Sequence, residues 1–215
     1  MAKSNYNSLN LWRGRIAGQV YKAVRGKQVI STYVPGRNPN TMAQQLVRAK
    51  LTVVAKLTRV FRYVIRLGFA EDAGSKRSIP IARFVKHNFG NISGDSPDIV
   101  SLDPSKIILA EGSRTGATFN PVLDIDTQPG EVVIGITNAV SPYEDEQEDL
   151  VFGVLYAPDL KQAILSEGVA RTSNKIRMAL PTDWTGIEIH AYGFVIGGQN
   201  LQASPSRYIG HVNLD

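Results

Sequence analysis

The chain has 215 residues, 43% of them hydrophobic and 20% charged, with 24 Lys and Arg, 19 Asp and Glu and no cysteine. That length suits one domain or two small ones with a real core, and the missing cysteines exclude disulfides and thiolate chemistry. The net charge of +5 hides a steep division: residues 1–90 carry 17 Lys and Arg against Glu71 and Asp72, whereas residues 91–215 carry 7 against 17 acids. Either the two parts attract each other, within a chain or between chains, or the first part binds a polyanion.

Residues 1–12 are polar until Leu9, Leu11 and Trp12, and read as a flexible arm. No apolar leader segment stands at the start, so no signal peptide is expected. No apolar run of about 18 residues occurs, so no membrane span is expected either. Both point to a cytoplasmic or virion location. Residues 15–24 and 28–34 are β-rich and flank Arg25-Gly26-Lys27, which predicts a hairpin studded with Arg13, Arg15, Lys22, Arg25 and Lys27. A two-stranded ribbon is marginal in water. It has to lie on a helix, on the rest of the chain or on another copy. Residues 35–40, rich in Pro, Gly and Asn, form a stiff connector.

Residues 41–68 read as one long amphipathic helix. Arg48, Arg59, Arg62 and Arg66 fall on one stripe with Lys56 beside it. Leu46, Val53, Val54, Leu57, Val60, Phe61, Val64, Ile65 and Leu67 form a wide apolar band opposite. Thr41 and Gln44 have capping-box spacing, and Gly68 suits a left-handed cap. A second helix is expected over residues 79–89, with Pro80 in its first turn. Residues 90–97 are rich in Gly, Ser and Asp and coincide with the charge reversal, which places a domain boundary there.

Beyond residue 98 the apolar period changes from 3.6 to 2. Strands are expected at 106–109, 118–124, 131–137, 150–156, 162–166, 175–180, 188–196 and 206–212, with turn clusters between them. That number and spacing indicate an antiparallel sandwich of immunoglobulin-like form, without the cystine of antibody domains. The fold class is therefore α+β, divided into an arm (1–12), a basic hairpin and helix region (13–90) and an acidic β-sandwich (91–215).

Catalytic signatures are absent from the sequence. Residues 112–118 bear glycines but lack a phosphate loop's ending and read as a turn. His87, His190 and His211 are far apart in sequence, without zinc-ligand spacing. Asp124 and Asp126 read as turn chemistry. No nucleophile, base and orienter can be assembled, so no enzyme, cofactor or metal is expected. The acidic run Glu144, Asp145, Glu146, Glu148 and Asp149 reads as a solvated loop or as a patch for the basic part of a neighbouring copy. Arg13, Arg15, Lys22, Arg25, Lys27, Arg48, Lys56, Arg59, Arg62 and Arg66 are the candidate nucleic-acid contacts, since guanidinium groups grip phosphate oxygens in a fork. Trp12, Tyr21, Tyr33 and Tyr63 lie among them, as stacking on single strands requires.

Two ends of the chain carry a resemblance. Gly26, Lys27 and Val29 on the hairpin return, then Asn40, Thr41, Gln44 or Gln45, Arg48 and Lys50 at the helix start, match the opening of an uncharacterised family of about 200 residues found in Bacteroidota and their phages. Leu180-Pro181-Thr182-Asp183-Trp184-Thr185-Gly186, Ala191-Tyr192-Gly193-Phe194 and Ser204-Pro205-Ser206-Arg207-Tyr208-Ile209-Gly210 are similar to its closing strands. The resemblance spans nearly the whole chain. It implies a two-part plan and a bacterial or phage source, and brings no catalytic residues. The combined expectation is a non-enzymatic structural protein that self-assembles through its basic N-terminal region and acidic sandwich, a phage virion component contacting nucleic acid. The alternative is a DNA- or RNA-binding module of low sequence specificity acting as monomer or dimer.

Overall fold

The computed structural model describes residues 3–5, 11–25, 27–35, 40–70, 80–124, 130–137, 148–198 and 201–214. It divides into two compact units, Met1–Thr41 and Met42–Asp215.

The first unit is a four-stranded antiparallel meander: β1 (Lys3–Asn5), β2 (Leu11–Ile16), β3 (Gln19–Val24) and β4 (Lys27–Thr32), in that spatial order. β3 and β4 pair with Val24 opposite Lys27, as two strands of a four-stranded sheet rather than as an isolated two-stranded ribbon. The expected strand over 15–24 is in fact two strands. Ala17 (φ 46°) and Gly18 (φ 79°) make a two-residue turn that sets Ile16 opposite Gln19. Such a turn needs left-handed backbone at both positions. An added Cβ at Gly18 would meet nothing within 4 Å, so the glycine is there for its backbone angle and not for space. Part of the expected arm is also strand, with Lys3 opposite Arg13.

The second unit has three layers. Its helices are α1 (Met42–Val60), α2 (Arg62–Gly68) and α3 (Pro80–Phe89). Two short strands, β5 (Ile92–Ser93) and β6 (Ser101–Leu102), pair with each other and precede a single turn of 3-10 helix at Pro104–Lys106. Then come β7 (Thr118–Asp124), β8 (Glu131–Thr137), β9 (Leu150–Ala157), β10 (Gln162–Leu165), β11 (Val169–Ala170), β12 (Lys175–Ala179), β13 (Glu188–Ile196) and β14 (Arg207–Asn213). One sheet has the order β10-β9-β13-β14, with β11 also on β9; the other has the order β12-β8-β7, and all pairs are antiparallel. The strand expected at 106–109 does not form.

The larger sheet is covered on both faces. Val154, Tyr156, Tyr192, Phe194 and Ile196 pack against Val54, Phe61, Ile65 and Phe84 of the helical layer. Leu155, Ile189, Ala191 and Val195 pack against Ile134, Ile176 and Met178 of the smaller sheet. Double coverage explains why β13 reads as a near-continuous apolar run rather than a clean alternation. At Gly193 the close approach requires glycine, because a Cβ there would enter the Phe119 ring. The expected boundary near residue 91 is thus corrected: the helices share a core with the strands, and the chain divides after Thr41.

The apolar band of residues 46–67 is the face the helices bury, and it is broken once. Phe61 (φ −92°, ψ 20°) separates α1 from α2, although the Phe61 amide still donates to the Leu57 carbonyl (2.9 Å) and the Ile65 amide to the Phe61 carbonyl (2.8 Å). The Thr58 hydroxyl donates to the Val54 carbonyl one turn earlier (2.8 Å), a contact that bends helices. Gly68 does not take the expected left-handed cap. It is buried at the end of α2, where a Cβ would run into the Leu109 carbonyl. The buried Asn88 holds α3 to the segment after the 3-10 turn: its Nδ2 donates to the Phe84 and Ile108 carbonyls (3.0 and 2.8 Å) and its Oδ1 accepts from the Ile108 amide (2.8 Å).

Candidate functional site

The cations expected on one helix stripe are exposed. Lys56, Arg59, Arg62 and Arg66 all face water, and among the described residues none of the four has an ion-pair partner. Arg48 is exposed at the far end of the stripe. Tyr63 lies among the last three arginines with 74% of its surface accessible. An exposed aromatic ring between guanidinium groups is the arrangement that single-stranded nucleic acid uses, with phosphates on the cations and a base on the ring.

In the N-terminal unit Arg13, Arg15, Lys22, Arg25 and Lys27 are exposed as well. The Arg15 guanidinium lies 3.4 Å from the centre of the Tyr33 ring, a cation–π contact. None of the side chains described at 13–25 and 27–35 is buried, and Ile16, Val24, Val29, Ile30 and Val34 are exposed. Residues 1–41 hold seven Lys and Arg and no Asp or Glu.

Of the acidic run, Glu144, Asp145 and Glu146 lie outside the described residues, and Glu148 is exposed. Asp149 is a correction. Its carboxylate is fully buried, accepting from Arg114 Nε and Nη2 (3.1 and 3.0 Å) and from Arg171 Nη1 (3.4 Å). Arg171 also donates to the Thr115 and Gly116 carbonyls (2.9 and 3.2 Å), which ties down the glycine-bearing segment expected to be a turn. Asp149 therefore serves the fold of its own chain and is not presented to a neighbour.

Folding also gathers residues that sequence spacing keeps apart. His190 and His211 face each other across β13 and β14. The Tyr208 hydroxyl lies 3.0 Å from His190 Nδ1 and 3.5 Å from His211 Nδ1, and Glu188 Oε1 is 3.8 Å from the Nε2 of each ring. Among the described residues no three His, Asp or Glu side chains are arranged to hold a metal ion. Burial holds the His190 pKa below its usual value; Glu188 opposes the shift, His211 adds to it and Asp103 opposes it. Burial likewise raises the Tyr192 hydroxyl, which donates to the Pro104 carbonyl (2.7 Å).

His190 is thus neutral in the fold where an unfolded histidine, with a pKa of about 6.5, starts to take a proton. Its contribution is complete above that pH and is lost as pH falls below it. Thermal melts should therefore show Tm falling between about pH 7 and pH 5, and falling less in His190→Asn. An equal fall in both proteins would assign the acid sensitivity to other groups.

Beside the arginine stripe lies a groove of about 500 Å³. Val53, Leu57 and Val60 of α1, with Leu102, Ile107 and Tyr156, make an apolar floor, and Lys56, Arg59 and Lys161 stand around it. No Asp or Glu lines it among the described residues. The sequence gives no sign of this groove, because Lys161 comes from the turn between β9 and β10, about a hundred residues beyond α1.

The model of a family of unknown function (DUF6266) matches residues 11–210. No curated protein and no solved structure matches the chain.

Proposed function

The chain belongs to this family of unknown function, and from that premise we propose that it is a non-enzymatic structural protein that self-associates through its basic N-terminal region and its acidic β-sandwich (residues 91–215), as a virion component of a phage in contact with nucleic acid. The observation that carries the reading is the N-terminal sheet, where none of the side chains described at 13–25 and 27–35 is buried. Ile16, Val24, Val29, Ile30 and Val34 are exposed on its described part, and such surfaces are covered by a partner in working proteins. A sheet with only positive charge is matched by the strand-forming residues 91–215, which carry ten more acids than bases, whereas the helical residues 42–90 of the same body carry eight more bases than acids. A heterologous contact of this kind closes into a shell or continues as a filament. A virion, where many copies pack around nucleic acid, is the setting that asks for both surfaces at once. The strand orders β12-β8-β7 and β10-β9-β13-β14 support reading the body's two sheets as an immunoglobulin-like sandwich with helices laid on one face. No helix among the described residues is long and apolar enough to cross a membrane.

A second reading, a nucleic-acid-binding module acting as monomer or dimer, is favoured by exposed Tyr63 between Arg59, Arg62 and Arg66. One sedimentation-velocity series tests both. At micromolar concentration and low salt the protein should sediment as an assembly that dissociates as salt rises; a monomer at low salt rejects self-association. With a single-stranded oligonucleotide added, four neutralised phosphates predict an affinity loss of roughly 50-fold between about 50 and 200 mM salt. Arg62→Glu with Arg66→Glu should abolish the co-sedimentation. Retention of the oligonucleotide by that variant rejects the stripe as the contact.

A further inference from the structure

The groove beside α1 has two chemical parts, an aliphatic floor of Val53, Leu57, Val60 and Ile107 and a rim of Lys56, Arg59 and Lys161. Its occupant has to bring an apolar group and several negative charges close together. Among the described residues no Ser, Thr, Asn, Gln, Asp or Glu side chain lines it, so a base edge would have the same cations to pair with as a carboxylate, and the carboxylate makes the stronger, doubly charged bond. The chain itself contains a segment of the required chemistry. At residues 142–146, Pro142 and Tyr143 are followed directly by Glu144, Asp145 and Glu146, the densest negative charge in the sequence.

We infer that the groove receives residues 142–146 of a second copy, with Pro142 and Tyr143 on the floor and the three carboxylates against Lys56, Arg59 and Lys161. This contact rests on the self-association reading above and names one of its interfaces. A groove of this volume lies in the range that holds a ligand of a few side chains. Two different patches are joined, so the contact runs head to tail, as open or ring-closed assembly requires. Asp149, buried on its own arginines, takes no part in it.

The test is a charge exchange read by sedimentation velocity at low salt, with thermal melts to establish that each variant is folded. One variant carries Arg59→Glu with Lys161→Glu; the other carries Glu144→Lys, Asp145→Lys and Glu146→Lys. Like charges then face each other in either variant alone. Each should need about tenfold more protein, or more, to assemble than the unaltered chain. An equimolar mixture of the two restores opposite charges at every contact and should assemble as the unaltered chain does. Assembly of either variant alone at the original concentration overturns the proposal while leaving self-association standing. Loss in both without recovery on mixing overturns it too, and is the result expected if the segment folds onto its own chain. A groove variant that assembles normally but no longer retains an oligonucleotide would assign the groove to nucleic acid. If the unaltered protein is a monomer, the underlying reading fails first.

Discussion

Asp149→Ala is expected to destabilise the protein by about 3–5 kcal/mol, because it removes a buried carboxylate that two nearly buried guanidinium groups share. Asp149 is 0% exposed, and the side chains of Arg114 and Arg171 keep only 10% and 3% of their surface. The carboxylate also accepts from the Gly198 amide (3.3 Å), so the loss reaches a second loop. The cost comes from desolvated positive charge that loses its shared carboxylate rather than from a strong attraction lost. Removing all three charged groups together should therefore cost much less than the sum of the single changes. Denaturant melts of Asp149→Ala and of a triple Asp149→Leu, Arg114→Met, Arg171→Met variant provide the comparison. A single-site cost below about 1 kcal/mol would show that water reaches the two arginines. The same substitution should leave self-association of the remaining folded protein unchanged.

Phe61→Ala is expected to cost about 3–5 kcal/mol, the range for removing a buried aromatic side chain, and to do so for the helices and the strands together. Phe61 is fully buried between the helical layer and the larger sheet, with its ring centre 4.9 Å from that of Tyr156. Trp184 lies in the other core, between the sheets, 2% exposed, with its indole N–H donating to Gln162 Oε1 (2.9 Å). In a Trp12→Phe background its fluorescence reports that distant core alone. Far-ultraviolet circular dichroism and Trp184 fluorescence should give one midpoint, and Phe61→Ala should lower both equally. A Trp184 transition that stays in place while the helical signal falls would restore a domain boundary near residue 91.

The two experiments concern the places where local pattern and folded position part. The apolar band at residues 46–67 was legible because a helix puts every third or fourth side chain on one face, and the buried residues Val54, Leu57, Phe61, Val64 and Ile65 all come from it. The strands at 118–124, 131–137 and 188–196 carried their own period and have the expected bounds. Charge was legible where it stays in solvent, at Arg59, Arg62 and Arg66. The same reasoning failed at Asp149. An acid at the end of a run of acids looks solvated, and nothing nearby in the chain announces Arg114 and Arg171, 35 residues before it and 22 after. The turn at Ala17 and Gly18 was missed because alanine seldom adopts a left-handed conformation.

The sequence by itself determined the α+β class, the exposed cationic stripe, the apolar faces and the opposed charges of the first 90 residues and the rest. These depend on intervals of two to four residues, over which backbone geometry alone decides what shares a face. Only the tertiary structure decided that the helices join the sheets in one body, that the chain divides after Thr41, that His190 meets His211, and that Lys161 closes a groove begun by Lys56 and Arg59. Each of those depends on which distant segments come to lie side by side, and that is settled by the packing of whole layers rather than by the period of any one of them.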